Sequence, residues 1–229
     1  MATYQEIYHS HADIYDRLVS CEDADNRLWG EIEAVFPLNG RDIIELGAGS
    51  GRLTRGLAGK AGSLWAFDNS EHMIESNRTR LQGLNYTNCQ LGLADHRTIP
   101  RPSQSADLVI AGWSLCYLVV EHPASWELEL AKSLAEIERL LRPGGKIIII
   151  ETLGTGFTSP TPPDHLRAYY DWLENRAGLS RRWFRTDYEF SSLAEAESLV
   201  RFFFGESLAA RVVQEKWRRV PECTGLWSR

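Results

Sequence analysis

Ile43-Ile44-Glu45-Leu46-Gly47-Ala48-Gly49-Ser50-Gly51 is the stretch on which the reading of this chain turns. A short apolar strand, Asp42 to Leu46, runs into a glycine turn, and Leu53 to Ala58 continues as a helix. Glycines at such a turn let the backbone bend tightly and approach a ligand without a Cβ in the way. A dinucleotide turn is spaced G-x-G-x-x-G and seats a pyrophosphate on the helix N-terminus. Here the spacing is G-x-G-x-G, and Glu45 stands two residues before the first glycine. A carboxylate so placed repels a pyrophosphate and suits a ligand carrying an ammonium or sulfonium group.

Working outward, strand-like and helix-like pieces alternate. Leu64 to Phe67 reads as a second strand closed by Asp68, and Ser70 caps a helix to about Gly83. Cys89 to Leu93 and Asp107 to Ala111 read as the third and fourth strands, and Ala124 to Leu141 as a long helix. Arg142-Pro143-Gly144-Gly145 reads as a stop and turn before a fifth strand, Lys146 to Thr152, whose β-branched centre predicts burial on both faces. This alternation implies parallel strands joined by crossover helices, a doubly wound α/β sheet.

Toward the N-terminus, residues 4–36 carry apolar side chains at helical spacing, with Asp23 and Asp25 placed to cap the second piece. The last third predicts a helix over Asp164 to Ala177, a strand over Trp183 to Phe190, and a helix opened by the capping box Ser192-Leu193-Ala194-Glu195. Gly205 breaks that helix, Glu206 to Glu215 forms another, and Arg218 to Trp227 is the last strand. The two strands would form an antiparallel hairpin beside the parallel sheet, with the helices between them inserted as a cover for substrate. The 229 residues read as a single domain: a helical cap over 1–40, a ligand-binding core over 41–152, and substrate-side helices with the hairpin over 153–229.

The net charge of −6 is the wrong sign for a protein that neutralises nucleic-acid phosphates. Two local basic groups, Arg181, Arg182 and Arg185 and then Lys216, Arg218 and Arg219, read as solvated surface. The four cysteines are far apart, with neither zinc-ligand spacing nor a disulfide framework, so a reducing cytoplasm is expected and no metal site is. No signal peptide and no membrane-spanning run is expected. The many aromatic residues of the tail read mostly as core.

Two further carboxylates sharpen the site. Asp68 at the end of the second strand can accept from both hydroxyls of a ribose, as it would in any adenosine site. Asp95, after the third strand, can accept from an adenine amino group. The fourth strand ends at Ala111-Gly112-Trp113, where ligands of such sheets meet, outside the carboxyl ends of the strands.

With these residues in order, the chain resembles the class I S-adenosylmethionine-dependent methyltransferases of the small-molecule type. Glu45, Gly47, Gly49 and Gly51 match E-x-G-x-G-x-G; Asp95, Ile99 and Pro100 match D-x-x-x-[LI]-P; Asp107 to Val109 match the D-x-V strand; Leu141 to Gly145 match L-[RK]-P-G-G. The resemblance implies a Rossmann-like, mostly parallel seven-stranded sheet with an antiparallel final strand. It places S-adenosylmethionine on Glu45, Gly47, Ala48, Gly49, Gly51, Asp68, Asn69, Ala94, Asp95 and Ala111. It implies in-line transfer of the methyl group to a small-molecule acceptor, with a general base needed only where the nucleophile holds its proton. His122, Glu151 and Tyr15 are the candidates for that base, with His9 and His11 beside them. The fourth strand lacks the [DN]-P-P-[YF] that amino-methylating enzymes of DNA carry, which argues with the charge against a nucleic-acid acceptor. A monomer or weak homodimer is expected. Two other readings remain: a non-catalytic S-adenosylmethionine-binding regulator or scaffold, and a nicotinamide-dependent oxidoreductase, which Glu45 and the glycine spacing disfavour.

Overall fold

A computed structural model describes residues 12–229. Helices α1 (Ala12–Ser20) and α2 (Arg27–Val35) come first, and then β1 (Asp42–Leu46), α3 (Thr54–Ala58), β2 (Ser63–Asp68), α4 (Glu71–Leu81) and β3 (Cys89–Leu93). They are followed by β4 (Ala106–Gly112), α5 (Cys116–Glu121), α6 (Trp126–Leu140) and β5 (Leu141–Thr155). The last third comprises a 3-10 turn at Asp164–Leu166, α7 (Arg167–Asn175), β6 (Ser180–Arg185), β7 (Tyr188–Glu189), α8 (Leu193–Phe204), α9 (Glu206–Gln214), β8 (Arg219–Val220) and β9 (Glu222–Ser228).

Seven strands form one sheet in the order β3-β2-β1-β4-β5-β9-β6. Strands β1 to β5 run parallel, and β9 lies between β5 and β6, antiparallel to both. This is the Rossmann-like, doubly wound sheet that the alternation and the resemblance implied. Order reverses between β1 and β4, which opens a crevice at the carboxyl edge. Ile147 to Ile150 at the centre of β5 are buried, with Ile147 and Ile149 in the core on one face and Ile148 and Ile150 in the core on the other.

Local chemistry sets the element ends. Ser70 Oγ accepts the Met73 N–H at the start of α4. Asp23 accepts the Arg27 and Leu28 N–H groups at 2.8 and 3.1 Å and so caps α2. Ser192 Oγ accepts the Glu195 N–H, while Glu195 reaches back to the Ser191 N–H, one residue before the expected partner. Gly205, at φ +88°, ends α8.

Three expectations are corrected. The Arg142-Pro143-Gly144-Gly145 stretch does not stop the chain before the fifth strand. It enters β5 as an irregularity between the Ala106–Leu141 and Leu108–Lys146 pairs, pinned where Arg142 meets Asp107 at 2.9 Å and Asp42 at 2.8 Å. The strand expected over Trp183 to Phe190 is split, because the Asp187 carboxylate gathers the Arg185 and Arg219 side chains and the Glu222 N–H and turns the chain off the sheet. The strand expected from Arg218 is split at Pro221, which has no N–H for the ladder. Strands β7 and β8 pair separately, beneath the inserted helices α8 and α9. The short helix α5 went unseen in the sequence, being too brief for helical periodicity.

Candidate active site

The parallel register of β1 and β2 brings Leu46 beside Phe67, so Gly47 and Asp68 leave the sheet together. The Ala48 N–H donates to the Phe67 carbonyl at 2.9 Å, and the Gly49 N–H donates to Asp68 Oδ2 at 2.8 Å. Asp68 Oδ1 accepts the Ser70 N–H at 2.9 Å. Gly47 has φ +69°, and a Cβ there would lie 2.2 Å from the Ser114 Cβ and 3.1 Å from His96 Nε2. The turn is therefore a cradle that a side chain would fill. Beneath it, Asn77 Nδ2 donates to Thr54 Oγ1 at 2.9 Å, and Thr54 donates to Glu45 Oε2 at 2.8 Å.

A cleft of about 930 Å³, counting space open to solvent, runs along this turn. Glu45, Gly47, Ala48, Gly49, Asp68, Asn69 and Asp95, seven of the ten residues on which the resemblance places the cofactor, line it. Ser50 lines it too, and its buried hydroxyl has no hydrogen-bond partner among the described residues. Burial pushes the Glu45 carboxyl up to about 8, with Thr54 opposing and Asp68 adding to the rise. Burial also raises Asp68, against the backbone N–H groups of Ser70 and Gly49. His96 lines the cleft with Asp68 and Asp95, and burial holds its imidazole below the ordinary value against their attraction. Asp95 is engaged at two oxygens by Arg97, which holds its carboxyl down at about 2, so its oxygens face a guanidinium before any adenine.

Three residues of the expected set do not line the cleft. Gly51 turns toward α4, where a Cβ would stand 2.5 Å from Asn77 Oδ1. Ala94 serves through its backbone, its N–H donating to the Asp68 carbonyl at 2.9 Å. Ala111 is buried in the core between Leu46 and Ile149.

A second cavity, about 890 Å³ on the same measure, adjoins the first. Tyr15, Arg52, Trp113 and Tyr117 wall both. The Arg52 guanidinium lies 3.4 Å from the Trp113 ring centroid and 2.6 Å from Glu22 Oε1. Trp113 itself sits in the left-handed region at φ +50°.

Of the candidate bases, Glu151 lines the second cavity. Its Oε1 accepts the Tyr169 hydroxyl at 3.0 Å and the Cys116 N–H at 3.1 Å, and burial pushes its carboxyl up to about 7. Tyr15 lines both cavities, but burial raises its phenol to about 12, which keeps it protonated at neutral pH. His122 lines neither cavity; its ring lies 3.5 Å from the Arg97 guanidinium. His9 and His11 fall outside the described residues. Sequence reasoning missed Arg52, His96 and Glu222, and named Trp113 only as the end of the fourth strand. Trp113 had a signal, its place at the carboxyl end of β4. Arg52 and Glu222 had none, because their neighbours are brought by the fold.

The basic groups of the tail are mostly paired: Arg181 with Glu174, Arg182 with Glu31, Arg185 with Asp187, and Arg219 with Asp187 and Asp25. No helix among the described residues is long and apolar enough to cross a membrane.

Sheet order, inserted antiparallel strand, and glycine cradle with its two carboxylates define a Rossmann-like protein with its site at the switch point between β1 and β4. Residues 44–149 match the methyltransferase domain family. A demethylmenaquinone methyltransferase of Clavibacter sepedonicus is 33% identical over 158 residues, 68% of this chain and 58% of that protein. A ubiquinone/menaquinone biosynthesis C-methyltransferase of Bordetella parapertussis is 29% identical over 175 residues, 73% of this chain and 60% of that protein. A crystal structure of a SAM-dependent methyltransferase from Aquifex aeolicus superposes with a TM-score of 0.59 at 16% identity, covering 95% of this chain and 96% of that one. The chain has the fold of the class I S-adenosylmethionine-dependent methyltransferases, and its residues 44–149 carry the likeness to that family. It spans about 60% of the length of the curated relatives named here.

Proposed function

We propose that this protein binds S-adenosylmethionine along the glycine turn and directs its methyl group to a small-molecule acceptor in the adjoining cavity. The observation that carries this reading is the shared wall of Tyr15, Arg52, Trp113 and Tyr117, which lets a donor in one cavity and an acceptor in the other meet. The relatives are named for methylation in quinone biosynthesis, and a small-molecule acceptor is carried over from them. The whole chain acts as a single domain, as a monomer or weak dimer in a reducing cytoplasm.

Each residue has a task. S-adenosylmethionine supplies a methyl group made electrophilic by its sulfonium. Asp68 keeps the Gly49 N–H and offers its remaining lone pairs to ribose hydroxyls. Glu45 faces the ligand's positive charge, the Ser50 hydroxyl gives an unpaired partner, and the cradle at Gly47 admits the ligand close to the backbone. The surrounding apolar walls exclude water, which strengthens these interactions. Side-by-side calorimetry with S-adenosylhomocysteine and NAD tests the assignment. The first binds and the second does not; tight NAD binding, or no binding of either, defeats it.

A further inference from the structure

The second cavity carries a charge pattern that its apolar walls do not explain. Glu151 and Glu222 line it, 0% and 1% exposed, and one oxygen of each, Oε2, has no hydrogen-bond partner among the described residues. Glu222 Oε1 is taken by the Thr152 hydroxyl at 2.6 Å, and Thr152 adjoins Glu151 on β5. Both carboxyls line this one cavity, from the neighbouring strands β5 and β9. Arg52 is the sole arginine or lysine among the described lining residues, and Glu22, itself buried, engages it. His165, at the rim, is exposed. Acids thus outnumber bases inside an enclosure of Leu18, Val19, Tyr188, Phe203 and Phe204.

We infer that the methyl acceptor is a small apolar amine whose ammonium is drawn by Glu151 and Glu222 and whose hydrocarbon part fills the aromatic end of the cavity. The inference rests on the function proposed above and names its substrate class. An acceptor hydroxyl has one proton to donate and would leave a buried carboxylate oxygen unpaired, whereas an ammonium has two or three and brings the missing positive charge. Burial raises both carboxyls, so the cavity avoids two bare charges until a cation enters. Glu151 adjoins α5, whose Tyr117 reaches the donor cavity, and is the proton acceptor. The amine nitrogen gives its proton to the Glu151 carboxylate, its lone pair forms the N–C bond to the methyl group, and the C–S bonding pair leaves with sulfur.

The test compares 2-phenylethylamine and tryptamine with 2-phenylethanol and tryptophol by calorimetry, using the full chain saturated with S-adenosylhomocysteine. The amines are expected to bind at least about tenfold tighter than the matching alcohols. Glu151→Gln and Glu222→Gln should each cut that preference several-fold or more, with the affinity for S-adenosylhomocysteine held within about twofold as the sign of an intact fold. Alcohols bound as well as amines, no amine bound, or variants that weaken both ligand types equally would overturn the inference. Retained binding of S-adenosylhomocysteine in those cases leaves the methyltransferase reading standing; its loss in the parent protein would fell both.

Discussion

The Asp68 carboxylate accepts the Gly49 N–H at 2.8 Å, so the end of β2 clamps the glycine turn at the end of β1. Asp68 thereby has two roles, shaping the turn and offering acceptors to the ligand. Loss of a charged hydrogen-bond partner costs about 1.5–3 kcal/mol, so Asp68→Ala should weaken S-adenosylhomocysteine roughly 10- to 150-fold by calorimetry. Asp68→Asn keeps an acceptor for Gly49 and should lose less. Equal losses in the two variants would show that charge, not the clamp, is what matters.

Gly47 and Gly49 both have positive φ, but their surroundings differ. A Cβ at Gly47 would strike Ser114 at 2.2 Å, and one at Gly49 would meet nothing within 4 Å. Gly49→Ala should cost only the left-handed backbone penalty of about 1–2 kcal/mol. Gly47→Ala adds a clash in a buried site and should be clearly the more destabilising in thermal or urea unfolding. A reversed order would contradict the cradle described here.

Glu45 is a carboxyl raised to about 8 by burial, from 4.5. A folded-state value above the unfolded one means that the folded protein holds the proton longer. The corresponding stability is fully present below about pH 4.5 and is lost as pH rises through about 8. Glu45→Gln should therefore flatten part of the decline in unfolding free energy over that window. A positively charged ligand favours the ionised form, so binding near pH 7 should release a proton from Glu45. Calorimetry in phosphate and in Tris should give different apparent enthalpies for the parent, and nearly equal ones for Glu45→Gln.

Trp227 is fully buried, stacks on Tyr170 at 4.8 Å between ring centroids, and donates its indole N–H to Glu174 at 3.1 Å. Trp227→Ala should cost about 3–5 kcal/mol in urea unfolding. A cost under about 1 kcal/mol would mean that β9 is held by its ladder alone, without the packing of α7.

Local signals carried the parallel half of the fold. The glycine turn, the Ser70 cap, the Asp23 cap and the apolar Ile147–Ile150 run each act within a few residues, so sequence order exposes them. The sites where expectation failed depend on distant partners. Asp187 breaks a strand because Arg219 and Glu222 arrive beside it, and Gly144 sits in a strand because Asp107 and Asp42 hold Arg142. The same division runs through the site. Glu45 and Gly47 were legible because one motif holds them in order, and Asp68 because it closes the next strand. Arg52 and Glu222 were not, since their meeting requires β9 to slot between β5 and β6 and α1 to pack against the inserted helices. Ala111 and Ala94 were named through the resemblance, and the fold puts the first in the core and sets the backbone of the second on Asp68.

The most direct measurement is a crystal structure of the full chain with S-adenosylhomocysteine. The account predicts the ribose on Asp68, the amino acid portion near Glu45, and the sulfur at the wall of Tyr15, Trp113 and Tyr117, facing the cavity of Glu151. A nucleoside bound elsewhere, or a sulfur turned away from that wall, would contradict it.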